Sequence, residues 1–205
     1  MSYKNFSLEK IRDEFGIQNK RQKLSEFAEI KSIEPSAWLK ETIEGYKLLP
    51  NRSEKAKSEA FVSPILLEIK KLNKEFITIH SGDMLNADPA HGLNGECDFI
   101  IGKETYSNTI DAPLFSVIEA KKGDLDLGKP QCAAQMLGVK IFNEKHGIHY
   151  DKVFGIVTTA SSWLFLKLEN NIIYTDDDSV LSLSELPQIL GRLQYIVDFY
   201  RLKQN

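Results

Sequence analysis

Two stretches, Gly95-Glu96-Cys97-Asp98-Phe99-Ile100-Ile101 and Phe115-Ser116-Val117-Ile118-Glu119-Ala120-Lys121, decide how this sequence is read. Both contain short apolar runs rich in β-branched and aromatic residues, the pattern of buried strands. The residues between them are rich in Thr, Ser, Asn and Asp and can return the chain as an antiparallel hairpin. Residues two apart on a strand point to the same face, so Glu119 and Lys121 project together while Ala120 faces away. If the two strands pair, Asp98 comes to lie beside Glu119 on that face. Two adjacent carboxylates repel and push one pKa upward, and charged groups at the end of a central strand are costly to bury unpaired. A hard divalent cation resolves that conflict. The reading depends on register, because a slip of one residue would turn Asp98 to the opposite face.

Glu-x-Lys alone carries little weight, since it occurs three times, at Glu29/Lys31, Glu68/Lys70 and Glu119/Lys121. The first two fall in helical patterns, where residues two apart point in different directions. Upstream of the strands, Ser53 is placed to cap a helix running to about Lys71, with Pro64 expected to kink it. Phe76 to His80 forms a further strand. Downstream, Pro130 suits the first turn of a helix to about Glu144, and Val153 to Thr159 is a strand whose helical connection favours a parallel pairing. The order from Ser53 to Thr159 is therefore helix, three strands, helix, strand. Phe165 to Leu168 and Ile172 to Tyr174 flank Asn170-Asn171 as a hairpin. Ser184 is expected to cap a last helix with Ile189, Leu190, Leu193, Ile196, Val197 and Tyr200 on one apolar stripe.

Ahead of this unit, Ser7 to Leu49 carries apolar residues at helical spacing, including Leu8, Ile11 and Phe15, then Trp38, Ile43 and Tyr46. Two or three short helices are expected there. Pro50-Asn51-Arg52-Ser53 reads as a boundary, which divides the chain into an N-terminal helical extension over 1–50 and a main domain over 51–205. Residues 1–57 carry 12 basic and 9 acidic side chains, and 58–205 carry 14 and 20, so the two parts differ in sign within a net charge of −3. That balance excludes a strongly basic chromatin-type protein. No apolar run approaches the roughly 18 residues of a membrane span, and the start, MSYKNFSLEK, lacks the apolar core of a secretory leader. A cytoplasmic protein with no membrane partner is expected. Cys97 and Cys132 have no metal-motif or disulfide spacing and read as buried small hydrophobes. The histidines likewise lack metal spacing, and Asp176-Asp177-Asp178 reads as a turn.

With Glu59 in the first helix and Gln131 and Gln135 four apart on one face of the second, the constellation resembles the PD-(D/E)XK nuclease superfamily. The match lies in the order helix with Glu59, strand, strand with Asp98, strand with Glu119-Ala120-Lys121, helix with Gln131, strand. Cys97, where the family pattern has proline, is a departure. SEAFVSPILLEIKKLN (58–73), GLNGECDFIIG (92–102) and FGIVTTASSWLFLKLE (154–169) resemble segments of uncharacterised bacterial, particularly cyanobacterial, members.

The resemblance implies an α/β, restriction-endonuclease-like αβββαβ core with a mixed sheet, here bearing the N-terminal helical extension and a C-terminal β-hairpin plus helix. It implies Mg2+, with Mn2+ as a substitute, held by Asp98 and Glu119 with Glu59 as the first-helix acid. Lys121 would orient the attacking water, Gln131 would stand on the following helix, and the reaction would be hydrolysis of a phosphodiester, of DNA in the first instance. Lys122, Lys129 and Lys140 are candidate phosphate contacts or ordinary surface charges. Because a net charge of −3 does not favour unassisted nucleic-acid binding, a homodimer or a protein partner is also expected. Lys20, Arg21 and Lys23 could serve as a nucleic-acid-binding arm or a dimer contact, or their segment could simply cap the core. The rival is a non-catalytic nucleic-acid-binding or regulatory protein on the same fold.

Overall fold

The computed structural model describes residues 2–50 and 53–203. Along the chain run α1 (Leu8–Phe15), β1 (Gln18–Arg21), α2 (Ala37–Lys47), α3 (Glu54–Lys57), α4 (Ser63–Leu72), β2 (Ile77–Met84), β3 (Glu96–Lys103), β4 (Leu114–Ala120), α5 (Lys129–Lys145), β5 (Lys152–Thr158), β6 (Ser162–Glu169), β7 (Ile172–Thr175), β8 (Leu181–Ser182) and α6 (Leu186–Leu202). The expected order of helix, three strands, helix and strand is observed. The strands form one mixed eight-stranded sheet in the order β1-β7-β6-β5-β4-β3-β2, with β8 against β6. β2, β3 and β4 pair antiparallel, and β4 pairs with β5 in parallel through α5. No helix among the described residues is long and apolar enough to cross a membrane.

Each face of the sheet buries its own core. On one face Ile65, Ile69, Phe99, Phe115, Ile118, Ile189, Leu193 and Tyr200 join α4, α6 and the sheet. On the other, Cys132, Met136 and Val139 of α5 pack on Ile100, Val117, Val153 and Val157. The two cysteines are free and buried. Strands covered on both faces must be apolar at successive positions, which is why β4 is buried along its whole length. A bulge between Ile101 and Gly102 inserts an extra residue in β4. It lets Phe115 and Ile118, three residues apart, face the same core. α5 sits close to the sheet because Gly155 has no side chain, since a Cβ there would lie 2.4 Å from Met136 Sδ and 2.8 Å from Cys132 Sγ.

Several local expectations need correction. Residues 1–50 are not only helical, because Gln18–Arg21 is a strand that pairs in parallel with β7. Four exposed polar residues give no apolar alternation, so only the pairing partner makes them a strand. The same segment supplies Tyr3, Ile11 and Ile17 to one core and Leu24, Phe27 and Leu39 to the other. Of the expected boundary, Asn51 and Arg52 lie outside the described residues, while Ser53 does cap α3 by accepting from the Ala56 N–H at 3.0 Å. Pro64 is preceded in the same helix by a π-helical turn at Ser58–Val62, which the sequence did not suggest. The wider turn accommodates a residue that has no N–H for the carbonyl four back and would clash with it. Ser184 does not cap the last helix: α6 follows a 3-10 turn over Leu183–Glu185 whose capping box is made by Ser182 and Glu185, and Glu185 precedes α6 without a side-chain cap. The Asn170-Asn171 turn is as expected, with φ of 51° and 58°.

Glu26 joins the N-terminal segment to the sheet. Its Oε1 accepts from Lys152 Nζ at 2.7 Å and Lys167 Nζ at 2.6 Å, and both lysines also reach Glu169. Burial disfavours its charge, but the two lysines outweigh that and hold its carboxyl well down, at about 2 against an ordinary 4.5. A depressed acid pKa stabilises the fold above the unfolded value and loses that effect as pH falls through the folded one. Glu26→Ala should therefore lower the unfolding free energy by about 2 kcal/mol at pH 7 in urea titrations. The difference from wild type should shrink as the pH falls from about 4.5 toward about 2.

Candidate active site

The β3–β4 register places the decisive residues. Phe99 lies opposite Ile118, and Asp98 and Glu119 are the next residues beyond that last ladder pair. Asp98 Oδ2 accepts from the Ala120 backbone N–H at 2.7 Å, which ties the start of β3 to the end of β4. Lys121 follows the last residue of β4, and its N–H donates to Thr158 O at 2.7 Å, extending the pairing with β5. Its Nζ donates to Glu119 Oε1 at 2.5 Å and to Gln131 Oε1 at 3.1 Å. Gln135 Nε2 donates to the other carboxylate oxygen, Oε2, at 2.7 Å. Gly128 gives the lysine room, because a Cβ there would stand 3.1 Å from Lys121 Cγ and 2.5 Å from Val157 Cγ1.

Thus Asp98, Glu119, Lys121 and Gln131 come together as expected, and Gln135 joins them. Glu59 does not join the cluster. Its side chain is 63% exposed and 3.8 Å from Lys55, on the wall of an open cleft of about 380 Å3 that Asp98 and Ala120 also line. Glu54, Glu96, Ser58 and Ser81 complete much of that wall. Among the described residues, no group of three or more His, Cys, Asp or Glu side chains is arranged to hold a metal ion. The three-acid ligand set therefore reduces to a pair. Lys129 is engaged elsewhere, bridging Asp126 and Asp177 at 2.6 Å each, and Lys140 reaches Asn171. Lys122 is exposed, and its carbonyl receives Lys57 Nζ at 2.9 Å, joining α3 to the loop after β4.

The electrostatics follow from burial. Glu119 is 1% exposed, and its pKa rises from 4.5 to about 7, first because burial disfavours its charge and then because of Asp98. Lys121 and Gln135 pull the other way without winning. The pKa of Asp98 is also raised by burial, against the opposing hydrogen bond from Ala120. The Lys121 ammonium is held above its ordinary value, because Glu119 outweighs the burial that disfavours it. Two acids with raised pKa values and one lysine form a site with more negative charge than it can neutralise. Such a pair suits a hard cation that takes one or two carboxylates and completes its shell with water and phosphate oxygens. No family model, curated protein or solved structure matches this chain.

Gln135 and Gly128 are the positions that sequence reading underused. The i, i+4 spacing of Gln131 and Gln135 showed a shared helical face, but not that each would take a different charged partner. The role of Gly128 depends on the approach of β5, which no local pattern encodes.

An acid whose pKa is raised in the fold stabilises it below the unfolded value and loses that effect as pH rises through the folded one. In chelator, wild-type stability should therefore fall between about pH 4.5 and about 7. Glu119→Gln, which mimics the protonated acid, should flatten that slope and melt about 4 °C higher at pH 8 by circular dichroism. A lower melting temperature than wild type would show that the ionised carboxylate is well compensated.

Proposed function

We propose that this protein is a metal-dependent nuclease of restriction-endonuclease-like fold, hydrolysing a phosphodiester, with DNA as the first substrate class to test. The observation that carries the reading is the convergence of Asp98, Glu119 and Lys121 at the ends of two paired strands, beside Gln131 at the start of α5. The chain order of helix, three strands, helix and strand supports it. Asp98 and Glu119 would hold Mg2+, or Mn2+ in its place. When bound, that ion neutralises charge on the phosphate oxygens and lowers the pKa of a water molecule. Lys121 carries a positive charge and N–H donors that can orient a nucleophilic water or stabilise developing negative charge. Gln131 holds the lysine from the other side. Glu59 stands on the cleft wall, where it can act on what enters the cleft rather than as a member of the buried pair.

Nucleic acid is the partner this chemistry requires, and a cytoplasmic setting accords with it. The acidic cleft wall, with Glu54, Glu59 and Glu96, gives a polyanion little attraction of its own, so cation binding or a second protein, including a second copy, would assist loading.

One observation favours the rival, a non-catalytic nucleic-acid-binding or regulatory protein. Both oxygens of Glu119 already have partners in Lys121 and Gln135, so the carboxylate is satisfied without a cation. Cleavage assays separate the two. Supercoiled plasmid, branched DNA and single-stranded DNA should be cut in Mg2+ or Mn2+ but not in chelator. Asp98→Asn, Glu119→Gln and Lys121→Ala should each lose at least about tenfold in rate, or ~1.4 kcal/mol of transition-state stabilisation. Equal rates in all four proteins would sink the assignment. Binding without cutting would favour the rival.

A further inference from the structure

Gln135 is fully buried on α5, at 0% exposure, among Cys132, Met136 and Val139. An amide in such surroundings is costly unless both of its ends are bonded. Only one end is. Nε2 donates to Glu119 Oε2 at 2.7 Å, whereas Oε1 is buried with no hydrogen-bond partner. The contrast with Asn143, two turns further along the same helix, is informative. Asn143 accepts from the Leu114 N–H at 2.8 Å and donates to the Leu114 carbonyl at 2.7 Å, so its amide is satisfied at both ends and clamps the start of β4. Asn143 thus shows a buried amide on this helix that is satisfied at both ends. Gln135 instead leaves an acceptor stranded in order to present a donor to one carboxylate oxygen. The orientation is also forced, because turning the amide over would set Oε1 against the Glu119 carboxylate.

We propose that Gln135 is a positioning residue for the metal pair: it pins Glu119 through Oε2, so that a divalent cation takes Oε1 in place of the Lys121 ammonium that now bonds it. The inference rests on the nuclease reading above and adds a residue to it. Gln131 differs in kind, since its amide oxygen holds Lys121 and not the carboxylate. Methionine has nearly the same shape as glutamine and neither of its hydrogen-bonding groups, so Gln135→Met removes the donor without opening a cavity. It also removes the stranded acceptor. A merely structural glutamine would lower the melting temperature when replaced and leave the affinity of the folded molecules unchanged.

The test is calorimetric titration of the full chain with MnCl2, beside thermal melting in chelator, for wild type, Gln135→Met and Gln135→Leu. Either variant exchanges a stranded Gln135 Oε1 for a stranded Glu119 Oε2, so it should melt within a few degrees of wild type, and it should bind Mn2+ at least about tenfold more weakly, the range found when a residue supporting a metal ligand is lost. Wild-type affinity in a folded variant would overturn the role of Gln135 and leave the nuclease reading standing. If wild type itself gives no binding heat with Mn2+ while Glu119→Gln behaves identically, the metal site is absent, and both the reading and this inference fall.

Discussion

The register between β3 and β4 is the constraint on which the rest depends. Phe99 opposite Ile118 and Ile100 opposite Val117 send alternate residues into two different cores. Because each face is fully covered, a slip of one residue would exchange the occupants of both cores at once, which makes the register costly to change. Asp98 and Glu119 are adjacent as a by-product of that packing. The charged pair therefore does not need to hold the strands together. The apolar residues do so, and the bulge at Ile101 and Gly102 keeps Phe115 in phase with them.

Holding two carboxylates there creates an electrostatic conflict that the surroundings only partly relieve. The Ala120 N–H, Lys121 and Gln135 all favour charge, yet burial leaves the Glu119 pKa near neutrality. Two structural polar groups elsewhere, Glu68 and Asn73, are treated differently. Glu68, 5% exposed, accepts from both the N–H and the hydroxyl of Ser36 and anchors the start of α2 on α4. Asn73 is similarly engaged with Ile69 and Gln194. The site is thus one of the places where local satisfaction is incomplete, and such places are where a ligand has something to contribute.

Legibility in the sequence followed the strength of local patterns. The apolar runs of β3, β4 and β5, the Asn170-Asn171 turn and the stripe of α6 were all readable, because burial on defined faces imposes a period. β1 was not, since its pairing with β7 alone defines it and its four residues are polar and exposed. Pro64 is expected to kink its helix, but the π-helical turn that precedes it is not foreseen. Ser184 is the expected cap, whereas Glu185 reaches back to the Ser182 N–H and makes Ser182 the cap of the 3-10 turn before α6.

At the site, the sequence by itself determined the chemistry of the parts: an acid in one strand, Glu-x-Lys at the end of the next, and two glutamines one helical turn apart. Spacing of two on a regular strand and four on a helix sets which side chains share a face, and a bulge such as that in β4 shifts the strand period. Only the tertiary structure decided which faces meet. It turned α5 so that Gln131 takes the lysine and Gln135 the carboxylate, set Gly128 and Gly155 where close approach is needed, and left Glu59 outside the pair. The reason is that local periodicity constrains direction within an element, whereas distance between elements is set by the packing of cores that draw residues from the whole chain.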